Sequence, residues 1–108
     1  MRSANVYCNH ELAGVLTKED DGIYTFRYTE DYYVNPSAPA ISLTLPKTQQ
    51  EYKSDILFPF FSSLLAEGVN RKLQCRRLKI DERDDFSLLL ATAGSNTIGA
   101  VTVRPIQS

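Results

Sequence analysis

The stretch Ile23-Tyr24-Thr25-Phe26-Arg27-Tyr28-Thr29 alternates aromatic residues with polar ones. A period of two puts Tyr24, Phe26 and Tyr28 on one side of an extended chain, and Thr25 and Arg27 on the other. This pattern predicts a strand in a sheet with one buried face, and it sets the reading of the flanking segments. Just upstream, Glu19-Asp20-Asp21-Gly22 is a turn signal, because Asp-Gly reaches positive φ at little cost. Further back, Val6-Tyr7-Cys8 is β-prone and Asn9-His10-Glu11 suits a tight turn. Leu12 to Leu16 reads as the partner strand, with Gly14 as a weak point or a close-packing site.

Downstream, residues 30 to 40 break the pattern, and Pro36 and Pro39 each push the preceding residue away from helix. Ile41, Leu43 and Leu45 alternate with Ser42 and Thr44, which predicts a further strand stopped by Pro46. Polar Lys47 to Ser54 reads as a loop. The second half turns helical. Pro59 suits a helix start, Phe61, Leu64 and Leu65 follow at helical spacing, and Gly68 can close that helix. A second helix is expected over 70–78. The third has Asp84 or Asp85 as its cap, Phe86, Leu89, Leu90 and Ala93 at i, i+3, i+4 and i+7, and Gly94 at its end. Ala100 to Val103 returns to strand, followed by Pro105. The expected fold is α+β: one domain over 1–108, a small mainly antiparallel β-sheet with about three helices packed to one side.

Composition agrees with that size. The chain has 108 residues, 43% hydrophobic and 23% charged, enough for one soluble domain without a disulfide or metal staple. Lys plus Arg is 12 and Asp plus Glu is 13, so the net charge is −1, which excludes a strongly basic nucleic-acid coater and an acidic tail protein. No apolar run reaches the roughly 18 residues of a membrane helix. The start Met1-Arg2-Ser3-Ala4-Asn5 lacks a signal-peptide core, so no membrane partner and a cytoplasmic location are expected. Cys8 and Cys75 are expected as free, partly buried thiols, with one disulfide as the alternative.

Candidate chemistry is sparse. The single histidine, His10, falls in a predicted turn, and the two cysteines lack metal-ligand spacing. No serine carries the G-x-S-x-G surroundings of a nucleophile. The acidic pairs Asp20/Asp21 and Asp84/Asp85 read as a turn and a helix start rather than as acid–base pairs. Gly94-Ser95-Asn96-Thr97-Ile98-Gly99 lacks the lysine of a phosphate loop. A non-enzyme with no catalytic, cofactor or metal site is therefore expected. Two clusters remain. Arg71, Lys72, Arg76, Arg77, Lys79 and Arg83, offset by Asp81 and Glu82, suit a solvated helix face, a contact with an acidic protein, or, more weakly, a nucleic-acid contact. Phe58, Phe60 and Phe61 point in different directions on a helix, so one of them is expected near the surface. They are core packing at the sheet edge or a protein anchor.

The order and spacing of several short motifs carry a resemblance. They are Val6-Tyr7 with Gly14, Phe26-Arg27-Tyr28, and Ile41-Ser42-Leu43-Thr44-Leu45-Pro46. There follow Pro59-Phe60-Phe61-x-x-Leu64-Leu65-x-Glu67-Gly68, Asp85-Phe86-x-Leu88-Leu89, Gly94, and Gly99-Ala100-Val101. From Val6 to Pro105 the chain resembles the small N-terminal subdomain 1 of HipA-type serine/threonine kinase toxins. It departs from that family at Ala66, where proline is usual, and at Gly94-Ser95-Asn96, where an acidic residue usually follows the glycine.

A HipA-type kinase continues for several hundred residues, whereas this sequence ends at Ser108, so a free-standing module is expected. The resemblance then implies the three-gene variant of this toxin–antitoxin family. There a small protein, HipS, corresponds to the subdomain missing from the short kinase HipT, and HipB carries a DNA-binding helix-turn-helix. It implies an antitoxin that binds a HipT-like kinase in a ternary complex with a HipB-like protein, without contacting nucleic acid itself. The expected kinase-contact residues are Phe58, Phe60, Phe61, Leu65, Glu67, Asn70 and Arg71, with Phe60 or Phe61 entering the kinase cleft. Two alternatives stand beside this reading: a non-inhibitory assembly subunit linking the kinase to the HipB-like protein, and an N-terminal fragment of a HipA kinase.

Overall fold

The computed structural model describes residues 2–63, 65, 68–81, 83–91, 97–98 and 101–105. Strands β1 (Arg2–Cys8), β2 (Glu11–Lys18) and β3 (Tyr24–Tyr28) are followed by the short helix α1 (Glu30–Val34) and by β4 (Glu51–Ser54). Helices α2 (Pro59–Ser62), α3 (Gly68–Leu78) and α4 (Asp85–Ala91) come next, and β5 (Thr97–Ile98) and β6 (Val101–Pro105) close the order. All strand pairings are antiparallel, in a sheet ordered β4-β3-β2-β1-β6-β5. The fold is α+β, as expected.

Local chemistry explains the first three strands. Asn9 and His10 take φ of 53° and 68°, the left-handed pair that a two-residue hairpin turn requires. Gly22 takes φ 89° in the next turn, which closes with Glu19 N–H to Ile23 O at 2.9 Å. The register of β1 against β2 shifts between Val6 and Tyr7, a bulge at Ala13 next to Gly14, which lies opposite Val6 on one side and Tyr28 on the other. A Cβ on Gly14 would lie 2.6 Å from the Arg27 carbonyl oxygen and 2.6 Å from the Phe26 ring, so only glycine fits. Gly14 is thus a close-packing site.

The aromatic stripe of β3 organises the core. Tyr24, Phe26 and Tyr28 are buried, and each meets a ring from a different helix. Tyr24 lies 6.0 Å from Phe86 of α4, Phe26 5.7 Å from Phe61 of α2, and Tyr28 stacks at 5.9 Å on Tyr32 of α1. Ala4, Val6, Cys8, Leu16, Val101 and Val103 extend the same buried face across the sheet. The helices that touch β3 therefore gather on one side. Cys8 and Cys75 are buried free thiols.

Two segments correct the sequence-based expectation. Ile41 to Leu45 is not a strand: Ile41 and Leu45 are buried while Leu43 is 99% exposed. Its backbone groups are taken up elsewhere. The buried Tyr28 hydroxyl donates to Leu45 O and accepts from Ile41 N–H at 3.1 Å. Tyr32 donates to Pro39 O, and Tyr52 donates to Pro46 O at 2.5 Å. Ser42 Oγ accepts from Thr44 N–H at 3.2 Å, a local turn that competes with any ladder. Burial pushes the Tyr28 and Tyr32 phenols above their ordinary pKa, which keeps them as neutral donors. The strand that does pair with β3 is β4, inside the stretch expected as loop. It sets half-buried Tyr52 opposite Phe26 and leaves charged Lys53 on the outer edge strand, where charge discourages further pairing.

Candidate protein-contact face

The helical half also differs from expectation. Pro59 does start a helix, but α2 stops after one turn, and Gly68 begins α3 instead of closing α2. The hydroxyls of Ser62 and Ser63 donate back to Pro59 O at 3.0 Å and Phe60 O at 2.6 Å, in competition with the continuing helix. The second and third helices are found as α3 and α4. At the start of α4, Asp84 Oδ1 accepts from Ser87 N–H at 3.1 Å and its Oδ2 from Ser87 Oγ at 2.6 Å. Partial burial opposes ionisation, yet these two hydrogen bonds hold the Asp84 carboxyl below its ordinary pKa. The expected helix end at Gly94 lies outside the described residues.

The candidate residues separate into inside and outside. Phe61 is 0% exposed and packs on Phe26, and Phe58 and Leu65 are also buried. Phe60 is half-buried and meets Phe61 edge to face at 5.3 Å. Asn70 is exposed. Arg71 is half-buried and pairs with Asp85, which ties α3 to the start of α4. Glu67 lies outside the described residues. The core reading of the aromatic cluster therefore applies to Phe58 and Phe61, and Phe60 is the ring nearest solvent.

Helix α3 has an unusual surface. Among its described side chains only Cys75 is buried, with Arg71 and Gln74 half-buried on the same side. The opposite side leaves Val69 71% and Leu73 52% exposed, one helical turn apart. Lys72, Arg76 and Arg77 lie exposed beside them. Of the basic cluster, Arg71 pairs with Asp85 and exposed Arg83 with Asp81 at 3.5 Å. Lys72, Arg76, Arg77 and Lys79 have no ion-pair partner among the described residues. The helix ends with Lys79 at φ 58° and Ile80 N–H donating to Cys75 O at 2.9 Å, a left-handed cap that turns the chain toward α4. Sequence reasoning missed Val69 and Leu73. Their i, i+4 spacing among the basic residues of α3 was the available signal.

A hollow of about 810 Å³ opens between the Glu19–Ile23 turn and β4 and is lined mainly by carboxylates. Among the described residues no group of His, Cys, Asp or Glu could hold a metal, and no helix is long and apolar enough to cross a membrane.

Comparison with known proteins supplies a family. A family profile described as the HipA N-terminal domain matches residues 4–104. A Haemophilus influenzae protein that carries no functional name is 36% identical over 104 residues, covering 96% of this chain and 92% of its own length. Two Sinorhizobium fredii proteins that carry kinase names, Y4mE and Y4dM, are 28% and 35% identical over 97% and 88% of this chain. The chain spans about a quarter of the length of those two, 25% and 24%. The solved N-terminal domain of HipA toxin superposes with a TM-score of 0.74 at 31% identity, covering all of this chain and 95% of that one. The matched unit is the N-terminal domain of a toxin rather than a kinase catalytic domain.

Proposed function

Because the chain belongs to the HipA N-terminal domain family, we propose that it is a non-catalytic antitoxin that binds a HipT-like serine/threonine kinase and silences it. The observation that carries this reading is the outer side of α3. It combines exposed Val69 and Leu73 with Lys72, Arg76 and Arg77, which have no ion-pair partner among the described residues, and this suits an acidic surface with an apolar centre. A few desolvated residues near the middle of a contact, arginines among them, supply most of its energy, and surrounding charges steer the encounter. Phosphoryl transfer depends on positioning, so a module that covers or enters the cleft and prevents its closure is sufficient to inhibit.

Within this reading the candidate residues take different roles. Phe60, Asn70 and Glu67 touch the kinase. Phe58, Phe61 and Leu65 support that face from the core, and Arg71 fixes α3 against Asp85. A HipB-like DNA-binding protein completes the complex, and this chain itself touches no nucleic acid.

The test is autophosphorylation of a purified HipT-like kinase from the same genome, with and without this chain, together with co-elution. Loss of activity at stoichiometric amounts supports an antitoxin. Co-elution with unchanged activity replaces this reading with an assembly subunit, and absence of both overturns it.

A further inference from the structure

The face of the sheet away from the helices carries a separate feature. Alternation along β1 and β6 puts Ala4, Val6, Cys8, Val101 and Val103 in the core, so Tyr7, Thr102 and Arg104 project from the other side. Register brings them together. Tyr7 sits directly opposite Thr102, and Arg104 follows two residues on along the same face. The left-handed Asn9-His10 turn places His10 at the end of this row. The four side chains line a hollow of about 260 Å³.

The chemistry of that lining is one-sided. Among the described residues it holds a guanidinium, an imidazole and two hydroxyls, and no carboxylate. Neither Arg104 nor His10 has a hydrogen-bond or ion-pair partner among the described residues. The nearby acid Glu11 pairs with Cys8 in the β1–β2 register and lines hollows beside Tyr32 instead. Elsewhere on this face Arg27 is already bound to Glu51 at 3.4 Å. A guanidinium with no ion-pair partner among the described residues, sharing one hollow with two hydroxyls, is complementary to a tetrahedral oxyanion, because its fork matches two oxygens and hydroxyls can serve the others.

We infer that the hollow formed by Tyr7, His10, Thr102 and Arg104 is a binding site for a phosphate group. Arg104 takes two phosphate oxygens, Thr102 and Tyr7 donate their hydroxyls, and His10 closes the open end. The inference does not depend on the kinase reading, since it concerns the opposite face of the sheet from the helices.

The experiment is a titration of the full chain with inorganic phosphate at fixed ionic strength, followed by amide chemical shifts, and repeated with a phosphoserine amide. Saturable shifts centred on Tyr7, His10, Thr102 and Arg104 are expected. Arg104→Gln should weaken binding about tenfold, the scale of one charged hydrogen bond, with His10→Gln weakening it less and Lys72→Gln leaving it unchanged. Tighter saturation by the phosphoserine amide assigns the site to an esterified phosphate, and equal or tighter binding of inorganic phosphate assigns it to the free anion. Shifts centred on α3, shifts that never saturate, or an Arg104→Gln variant that binds like the parent would overturn the inference.

Discussion

Strand β3 and helix α3 treat their apolar residues in opposite ways. The strand hides Tyr24, Phe26 and Tyr28, and each is engaged by a different helix. The helix hides Cys75 and leaves Val69 and Leu73 in water. Residue choice in β3 is therefore accounted for by the fold's own packing. Residue choice on the outer side of α3 is not, because it leaves Val69 and Leu73 exposed and no described residue pairs with its Lys72, Arg76 or Arg77. That difference separates side chains that hold the domain together from side chains free to meet a partner.

Adjacent phenylalanines test the contrast most sharply. Phe61→Ala removes the α2 ring that packs on Phe26 of β3 and should cost about 3–5 kcal/mol of stability in urea unfolding. Phe60→Ala, one residue earlier, should cost roughly 1 kcal/mol. If the two costs were equal, the division between inside and outside in α2 would fail. Gly14→Ala comes next, at about 1–3 kcal/mol, because the Arg27 backbone and the Phe26 ring must both yield. A neutral result would show that the β2–β3 pair has slack that its geometry denies.

The helix start at Asp84 sits lower on the scale. Asp84→Ala should cost about 1 kcal/mol by loss of the cap. The folded state holds this carboxyl below its ordinary pKa, so its stabilisation is complete above the unfolded value of about 3.9. It fades as pH falls through the lower folded value. The gap between parent and variant should therefore narrow in acid, as measured by thermal unfolding at neutral pH and near pH 3. Smallest in stability is the paired change Val69→Ser and Leu73→Ser, expected within about 0.5 kcal/mol per site. It should nevertheless abolish co-elution with the kinase. Unchanged co-elution would move the contact away from α3.

Much of the fold was legible because it is written in local rules. The alternation of residues 24–28, the Asp-Gly and Asn-His turns and the capped, periodic α4 each report a conformation through their own neighbours. The candidate site was legible only in part. The sequence pointed to Phe58, Phe60, Phe61, Leu65, Glu67, Asn70 and Arg71 but passed over Val69 and Leu73, because i, i+4 spacing alone does not tell an exposed apolar pair from a buried one.

By itself, then, the sequence determined the α+β class, the buried stripe of β3 and the HipA-type resemblance. Tertiary structure alone decided that Ile41 to Leu45 wraps as a loop around the Tyr28 hydroxyl, and that polar Glu51 to Ser54 becomes the edge strand. It also decided which phenylalanine turns inward, and which row of side chains faces Arg104 across β1 and β6. The physical reason is range. Turns, caps and periodicity are settled within a few residues, whereas strand partners and the side that becomes the core depend on groups far away in the chain.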